Sequence, residues 1–384
     1  NGDLNRTKEI LKLYQEIRKN IDVPDDFFAQ EVKTVANLVT NADGITGDGF
    51  QFMLNGTAGT KFKEFIHYSN IPSEDKLFID SLYSEHNLES DLDVGFKGNP
   101  NMGSIVLNQF TSSKDFQRFG QSFSPGDAIF IINSIFGGTG AAGFPLLLKS
   151  LKNGAEIPNS ALVKQAFIGG LTYLPYFKLN KGEIDSDTFL EKAKSAIDYY
   201  NRTIINQNQI ESLYFLGDVG TTSTYENHAG QQAQKNDAHF LELAGALAIL
   251  DFSSKIQNLI SGQTKIKEFG IENNTSPLTF DSLNTENSNQ IKSYLQKFRF
   301  FTEYLNKGLP RALNVSRWTK KKTQLTKEYF DSPEYKNEIA NFIGHFNAWT
   351  QELENNSPSF SPFNSIIKNN DNGKSLFKSL DTLN

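Results

Sequence analysis

Residues Ser134 to Leu151 read SIFGGTGAAGFPLLLKSL, and the rest of the chain is read outward from them. Gly137, Gly138, Thr139 and Gly140 put three glycines and a hydroxyl into consecutive positions. They follow the apolar run GDAIFIINSIF (Gly126 to Phe136), the pattern of a strand buried on both faces of a sheet. An apolar, helix-like segment comes after them. In this order, backbone amides can converge on an anion, because glycine allows close approach and a helix N-terminus adds its dipole. Thr139 would add a hydroxyl for a phosphate oxygen. The same residues would also serve a tight turn with close helix–strand packing. The stretch has neither the Gly-Lys-Ser/Thr of a P-loop nor the G-x-G-x-x-G of a dinucleotide fold.

Downstream, QAFIGGLTYLPYF (Gln165 to Phe177) reads as a second buried strand, ended by Pro175. DSDTFLEKAKSAIDYYNRTI reads as a helix capped by Asp185 or Ser186, with Phe189, Ala193, Ala196, Ile197 and Tyr200 on one face. ESLYFLGDVG is a third strand with Gly217 and Asp218 at its carboxyl end. A polar loop then leads to the helical NDAHFLELAGALAILDF, and TKIKEFGIE has the pattern of a further strand. Upstream, RTKEILKLYQEIRKN and SEDKLFIDSLYSEH read as helices, and KGNPNMGS (Lys97 to Ser104) as a turn entering a helix. Strands alternating with helices predict an α/β fold, a parallel sheet with helices on both faces. Ligands of such sheets lie beyond the carboxyl ends of the strands, where the turns 98–103, 137–143 and 217–220 fall. Beyond about residue 257 the sequence reads as mostly helical.

The 384 residues exceed one ordinary core. No apolar run approaches the roughly 18 residues of a spanning helix, so no membrane insertion is expected. The amino-terminal residues lack a secretory h-region. There is no cysteine, and the five histidines lack metal-ligand spacing, which together fit a cytoplasmic protein without a metal centre. A net charge of −6 argues against nucleic-acid binding. The basic cluster SRWTKKK (Ser316 to Lys322) reads as a solvated helix face.

FGGTGAAGFP resembles the phosphate-binding glycine loop of the tubulin/FtsZ superfamily, Gly-Gly-Gly-Thr-Gly-Ser/Thr-Gly. KGNPNMGS is similar to the Gly-Asn-Pro loop of FtsZ-like proteins. LTYLPYF, LYFLGD and NDAHFLELAGALAILDF resemble, in order, the strand near the ribose, the next strand and the long central helix. The resemblance covers roughly residues 1 to 256. It implies a Rossmann-like GTPase domain over 1–235 and a central helix over 236–256; the carboxyl-terminal domain over 257–384 reads as mostly helical from its own residues, where the family usually has a mixed α/β second domain. It implies GTP or GDP as ligand, with Mg2+ on the nucleotide, and head-to-tail self-association. Gly98, Asn99 and Gly103 would then surround the terminal phosphate, and Gly137, Gly138, Thr139 and Gly140 would hold the phosphates. Asp218 would reach the ribose or base, and Asn236 the guanine edge. An Asn side chain carries both a donor and an acceptor for that edge, and at this position it would equally serve as a helix cap. Tyr199, Tyr200 and Tyr225 could stack on a base, although a core or surface role is the expectation for each.

The sequence departs from the family pattern at several points. Phe136 and Ala142 replace two glycines of the loop. A βαβ unit of roughly 30–50 residues is expected ahead of the first residue, and with it another glycine loop. In the stretch after Phe252, SSKIQNLISGQTKIKEFGIE, the only acids are Glu268 and Glu272, and neither sits in the Gly-x-x-Asn-x-Asp pattern that activates water in the family. Nucleotide binding is therefore expected, and no catalytic residue for GTP hydrolysis is assigned. The alternatives are a scaffold that keeps the fold without nucleotide and, more distantly, a dinucleotide enzyme.

Overall fold

The computed structural model describes residues 2–22, 26–38, 52, 54–93, 95–153, 157–182, 185–218, 223–227, 236–268, 278–283, 288–305 and 327–361. The patch 41–50, the SRWTKKK cluster, His228 and the tail beyond Ser361 lie outside them. The chain forms two compact units. One gathers Lys33–Asn236 and Ala248–Phe269, with the first three residues. The other gathers Leu4–Val32, Asp237–Leu247 and Gly270–Asn384, so the first helix joins the carboxyl-terminal segments.

That first helix is α1 (Gly2–Lys19). Within the sheet unit, α2 (Ser73–Leu82), α3 (Pro100–Leu107) and α4 (Lys114–Ser122) precede β1 (Ile129–Ser134). Then come α5 (Gly138–Asn153), α6 (Ser160–Gln165), β2 (Ile168–Tyr173), α7 (Phe189–Tyr200) and β3 (Ser212–Leu216). Next, α8 (Phe240–Lys255) is mostly apolar and begins in the second unit, and β4 (Lys265–Glu268) follows it. The sheet is parallel throughout, in the order β1-β2-β3-β4. Separately, Lys178–Leu179 pairs in parallel with Thr224–Tyr225.

Consecutive glycines in β2 show how helices reach both faces, because neighbouring strand residues point to opposite sides. A Cβ on Gly169 would stand 2.8 Å from the Phe252 ring of α8. One on Gly170 would stand 3.1 Å from the Phe144 ring of α5. The central strand is thus buried on both faces, as its sequence predicts.

The strand before the glycine turn does not follow that prediction. Ile129, Ile131 and Asn133 are buried, while Ile132 is 52% exposed. β1 is the outermost described strand of the sheet, and the face that carries Phe130 and Ile132 is covered at Phe130 by Phe252 of α8 (5.3 Å) but left open at Ile132, which composition alone does not reveal. In a parallel ladder alternate residues face the neighbour. Ile129 and Ile135 donate to β2's side through the carbonyls of Phe167 and Tyr173. The amides and carbonyls of Phe130 and Ile132 point the other way and meet no partner among the described residues.

At the opposite edge, polar groups tie β3, β4 and α8 together. Tyr214 donates to Asp251 (2.7 Å), and Lys267 and Lys255 reach the same carboxylate at 2.7 and 2.6 Å. Burial alone would raise the Asp251 carboxyl, but the two ammonium groups and the phenol outweigh it and hold it below the usual range. Burial and this carboxylate push the Tyr214 phenol up.

The second unit packs α1 with α9 (Ser288–Glu303) and α10 (Ala340–Asn355). Its core is aromatic: Phe27 stacks on Phe298 at 4.5 Å, and Phe298 meets Phe342 and Phe346 edge-on. Glu352 of α10 accepts from Arg6 (2.7 Å) and from the Ala238 amide (3.0 Å). Among the described residues no helix is long and apolar enough to cross a membrane.

Candidate functional site

The carboxyl ends of the strands lie level, since Ser134, Tyr173 and Leu216 stand in register across β1, β2 and β3. The chain leaves β1 at Ser134 and enters α5 at Gly138, and the Ala141 amide donates to the Gly137 carbonyl at 3.3 Å. The amides of Gly137, Gly138, Thr139 and Gly140 donate to no group among the described residues. A helix leaves its first amides without an internal partner, and side chains usually cap them. Here no side chain does so. Thr139 is exposed, while Gly137 and Gly140 are half-buried.

The second turn packs directly against the first, and glycine makes this contact close. A Cβ on Gly138 would stand 3.0 Å from the Asn99 nitrogen and from the Phe96 Cβ. A Cβ on Gly103 would stand 2.8 Å from the Gly138 carbonyl oxygen and 3.0 Å from the Ala142 Cβ. The methyl of Ala142, a departure from the family pattern, is therefore accommodated by the missing side chain of Gly103. Phe136, the other departure, is buried and closes the floor of the turn against Phe189 (4.9 Å) and Phe177 (5.5 Å).

Two of the expected phosphate contacts already have structural work. The Asn99 side chain caps α3, accepting from the amides of Asn101 (3.0 Å) and Met102 (3.2 Å). The Gly103 amide donates to the Asn99 carbonyl at 3.2 Å. Gly98, at φ +75°, is in the left-handed region that favours glycine. A Cβ there would stand 3.1 Å from Lys192 Nζ, so an ammonium from α7 lies against this turn. Lys192 is half-buried and has neither hydrogen bond nor ion pair among the described residues. The sequence reading did not single it out. A lysine in the first turn of the helix after the second strand was the available signal.

Behind the turn runs a buried relay that sequence reading also missed. Thr172 of β2 donates to Asn133 Oδ1 of β1 (3.0 Å), Asn133 Nδ2 donates to the Tyr200 hydroxyl (3.1 Å), and that hydroxyl donates to the Ala141 carbonyl (3.5 Å). It fixes the first turn of α5 to two strands and α7. Tyr200 is fully buried, and desolvation raises its phenol, opposed by the bond from Asn133. Tyr200 has the core role expected of it and does not stack on a base, because no face of its ring is open. Tyr225 meets Phe177 at 5.5 Å, and Tyr199 is exposed.

Asp218 lies two residues past β3, its amide donating to the Pro175 carbonyl at 3.3 Å. β1 and β3 flank β2, so the glycine turn and Asp218 rise from strands roughly 10 Å apart at normal strand spacing. Asn236 is half-buried, and regular helix begins only at Phe240, so Asn236 is neither the first helical residue nor its cap. Residues 219–220 of the third turn lie outside the described residues.

Among the described residues no group of three or more His, Asp or Glu side chains is placed to hold a metal ion. Comparison of the chain with protein-family models, curated proteins and solved structures gives no match.

Proposed function

We propose that the sheet unit binds a guanine nucleotide, GTP or GDP, as a divergent tubulin/FtsZ-like protein. The observation that carries this reading is the row of four uncapped amides at Gly137–Gly140, with the Lys192 ammonium against the adjoining turn. Amides at a helix N-terminus and a lysine point charge together suit a phosphate chain. Ser134, Tyr173 and Leu216 in register bring the phosphate turn and Asp218, the residue assigned to the ribose or base, to the same end of the sheet. Asn236 is assigned to the guanine edge on the resemblance alone. Mg2+ would ride on the phosphates, a common mode for this ion. The binding chemistry assigned to this chain is amide and ammonium neutralisation of phosphate oxygens. Phosphoryl transfer to water would further need a group that positions the water, and none is assigned.

The test is thermal unfolding and equilibrium dialysis of the chain with GTP or GDP and magnesium. Ligand at 100 times its Kd adds about 2.7 kcal/mol of stability, a shift of several degrees. Lys192→Ala should weaken nucleotide binding about tenfold, the loss of one charge-assisted contact. No shift and no retention at millimolar GTP and GDP would overturn the reading.

One observation favours the alternative of a scaffold without nucleotide: Asn99 and Gly103 are already occupied in capping and close packing. Chromatography of the denatured, freshly purified protein separates the two readings, since a released guanine nucleotide excludes the scaffold.

A further inference from the structure

We infer that the second unit contains a binding site for an organic cation with an apolar body. The site is a cavity of about 450 Å3 lying wholly within that unit, where α1 and α9 meet the segment 329–343. Its volume is that of sites for small molecules. Ile17, Phe28, Phe298 and Phe342 form apolar walls. Such walls accept alkyl or aryl groups but give no reason to prefer a charge.

The preference comes from Glu334 and Glu338, which line the same cavity. Four residues apart on helical backbone, they share one face, where like charges repel. Neither has an ion pair among the described residues, and Glu338 accepts one neutral hydrogen bond, from Asn20 Nδ2 at 3.2 Å. Lys336, the cation nearest in sequence, is engaged with Asp331 at 3.1 Å. Tyr329 lines the cavity as well, and burial and then the charges of Glu334 and Glu338 push its phenol up, so both carboxylates act on this space. Phe301, 45% exposed, and Tyr329 add aromatic rings to the lining, the side chains that attract a cation. Glu338 and Ile339 belong to a π-helical turn, Tyr335–Ile339, an irregularity frequent at functional sites.

These features together select the ligand. An ammonium group relieves the repulsion between the carboxylates while its apolar body fills the aromatic space. A neutral alcohol of equal length leaves the repulsion in place, and an anion adds to it. The reading is independent of the nucleotide proposal.

The experiment is calorimetric titration of the whole chain with octyltrimethylammonium, octanol and octyl sulfate, each as a monomeric solute. The ammonium should bind at least tenfold more tightly than octanol, and octyl sulfate more weakly than octanol. The double variant Glu334→Gln, Glu338→Gln should bring the ammonium to the affinity of octanol, with octanol binding and the far-ultraviolet circular dichroism unchanged. Both positions reach solvent, so the variant should fold. Equal affinity for ammonium and octanol, a preference that survives in the double variant, or no binding of any of the three would overturn the inference.

Discussion

Lys267 and Lys192 belong to the same compact unit, and their surroundings differ in one respect. Lys267 has its charge met inside the protein: Asp251 lies 2.7 Å away and the Tyr214 hydroxyl 3.0 Å away, with Lys255 on the other carboxylate oxygen. Lys192 is also half-buried, yet no carboxylate among the described residues answers it, and it stands by a turn whose partner turn has bare amides. A satisfied cluster holds elements together. An unsatisfied one at the carboxyl end of a parallel sheet is free to hold something else. Loss of the counter-charge should therefore affect folding at the first place, while loss of the lysine should affect binding at the second.

The largest effect is expected at Asp251. Replacement by alanine leaves Lys255 and Lys267 without their shared partner, and breaking a buried ion pair from one side costs about 3–5 kcal/mol. The denaturation midpoint should fall accordingly; a loss below about 1 kcal/mol would show that the cluster does not hold α8 and β4 to the sheet. Next is a dependence on pH at His239, a buried group of the second unit. Burial lowers its imidazole to about 4, against the opposing pull of the Ser357 backbone. The unfolded chain takes up the proton near 6.5, so the stability from the neutral ring is present above 6.5 and drains away as pH falls towards 4. The total is on the order of 3 kcal/mol. His239→Asn, which keeps an acceptor for the Leu241 amide, should flatten the curve over that window, and an unchanged slope would count against it.

A smaller loss is expected behind the glycine turn. Asn133→Ala leaves the buried Thr172 and Tyr200 hydroxyls each short of a partner, at a cost of about 1–3 kcal/mol. Because Tyr200 holds the Ala141 carbonyl, the same change should loosen the first turn of α5, read as faster amide exchange from Ala141 onward. The smallest effect sharpens the comparison most. Lys192→Ala should change stability by less than about 0.5 kcal/mol, the normal range for a side chain making no defined contact. A larger drop would make Lys192 a structural residue like Lys267.

Much of the sheet unit was legible in the sequence, because its signals are local. Gly137–Gly140 sit between an apolar strand and a helix, and 98–103 reads as a turn before a helix with Pro100 in its first turn. What was not legible depends on register and rotation. Nothing in GDAIFIINSIF says that its strand ends the sheet, since that follows from strand order. Which lysine of FLEKAKSAIDYY reaches the Gly98 turn depends on how α7 rolls on the sheet. The relay joins residues 39 and 67 positions apart, and neither spacing leaves a trace in the sequence. Asn236 shows the opposite error: the apolar periodicity begins close behind it, yet the helix waits until Phe240. The cavity of the second unit is lined by parts of the chain some three hundred residues apart, and no window of sequence contains it.

The open side of β1 also has a consequence for handling the protein. The far edge of the sheet carries the exposed Lys265, a charge that discourages another chain from docking there. Among the described residues β1 has no such guard, offering the unpaired backbone of Phe130 and Ile132 and an outward isoleucine. Concentrated samples are therefore expected to clump through this rim, by strand-to-strand annealing between molecules. A single lysine at position 132 should keep them dispersed in light scattering without disturbing the fold.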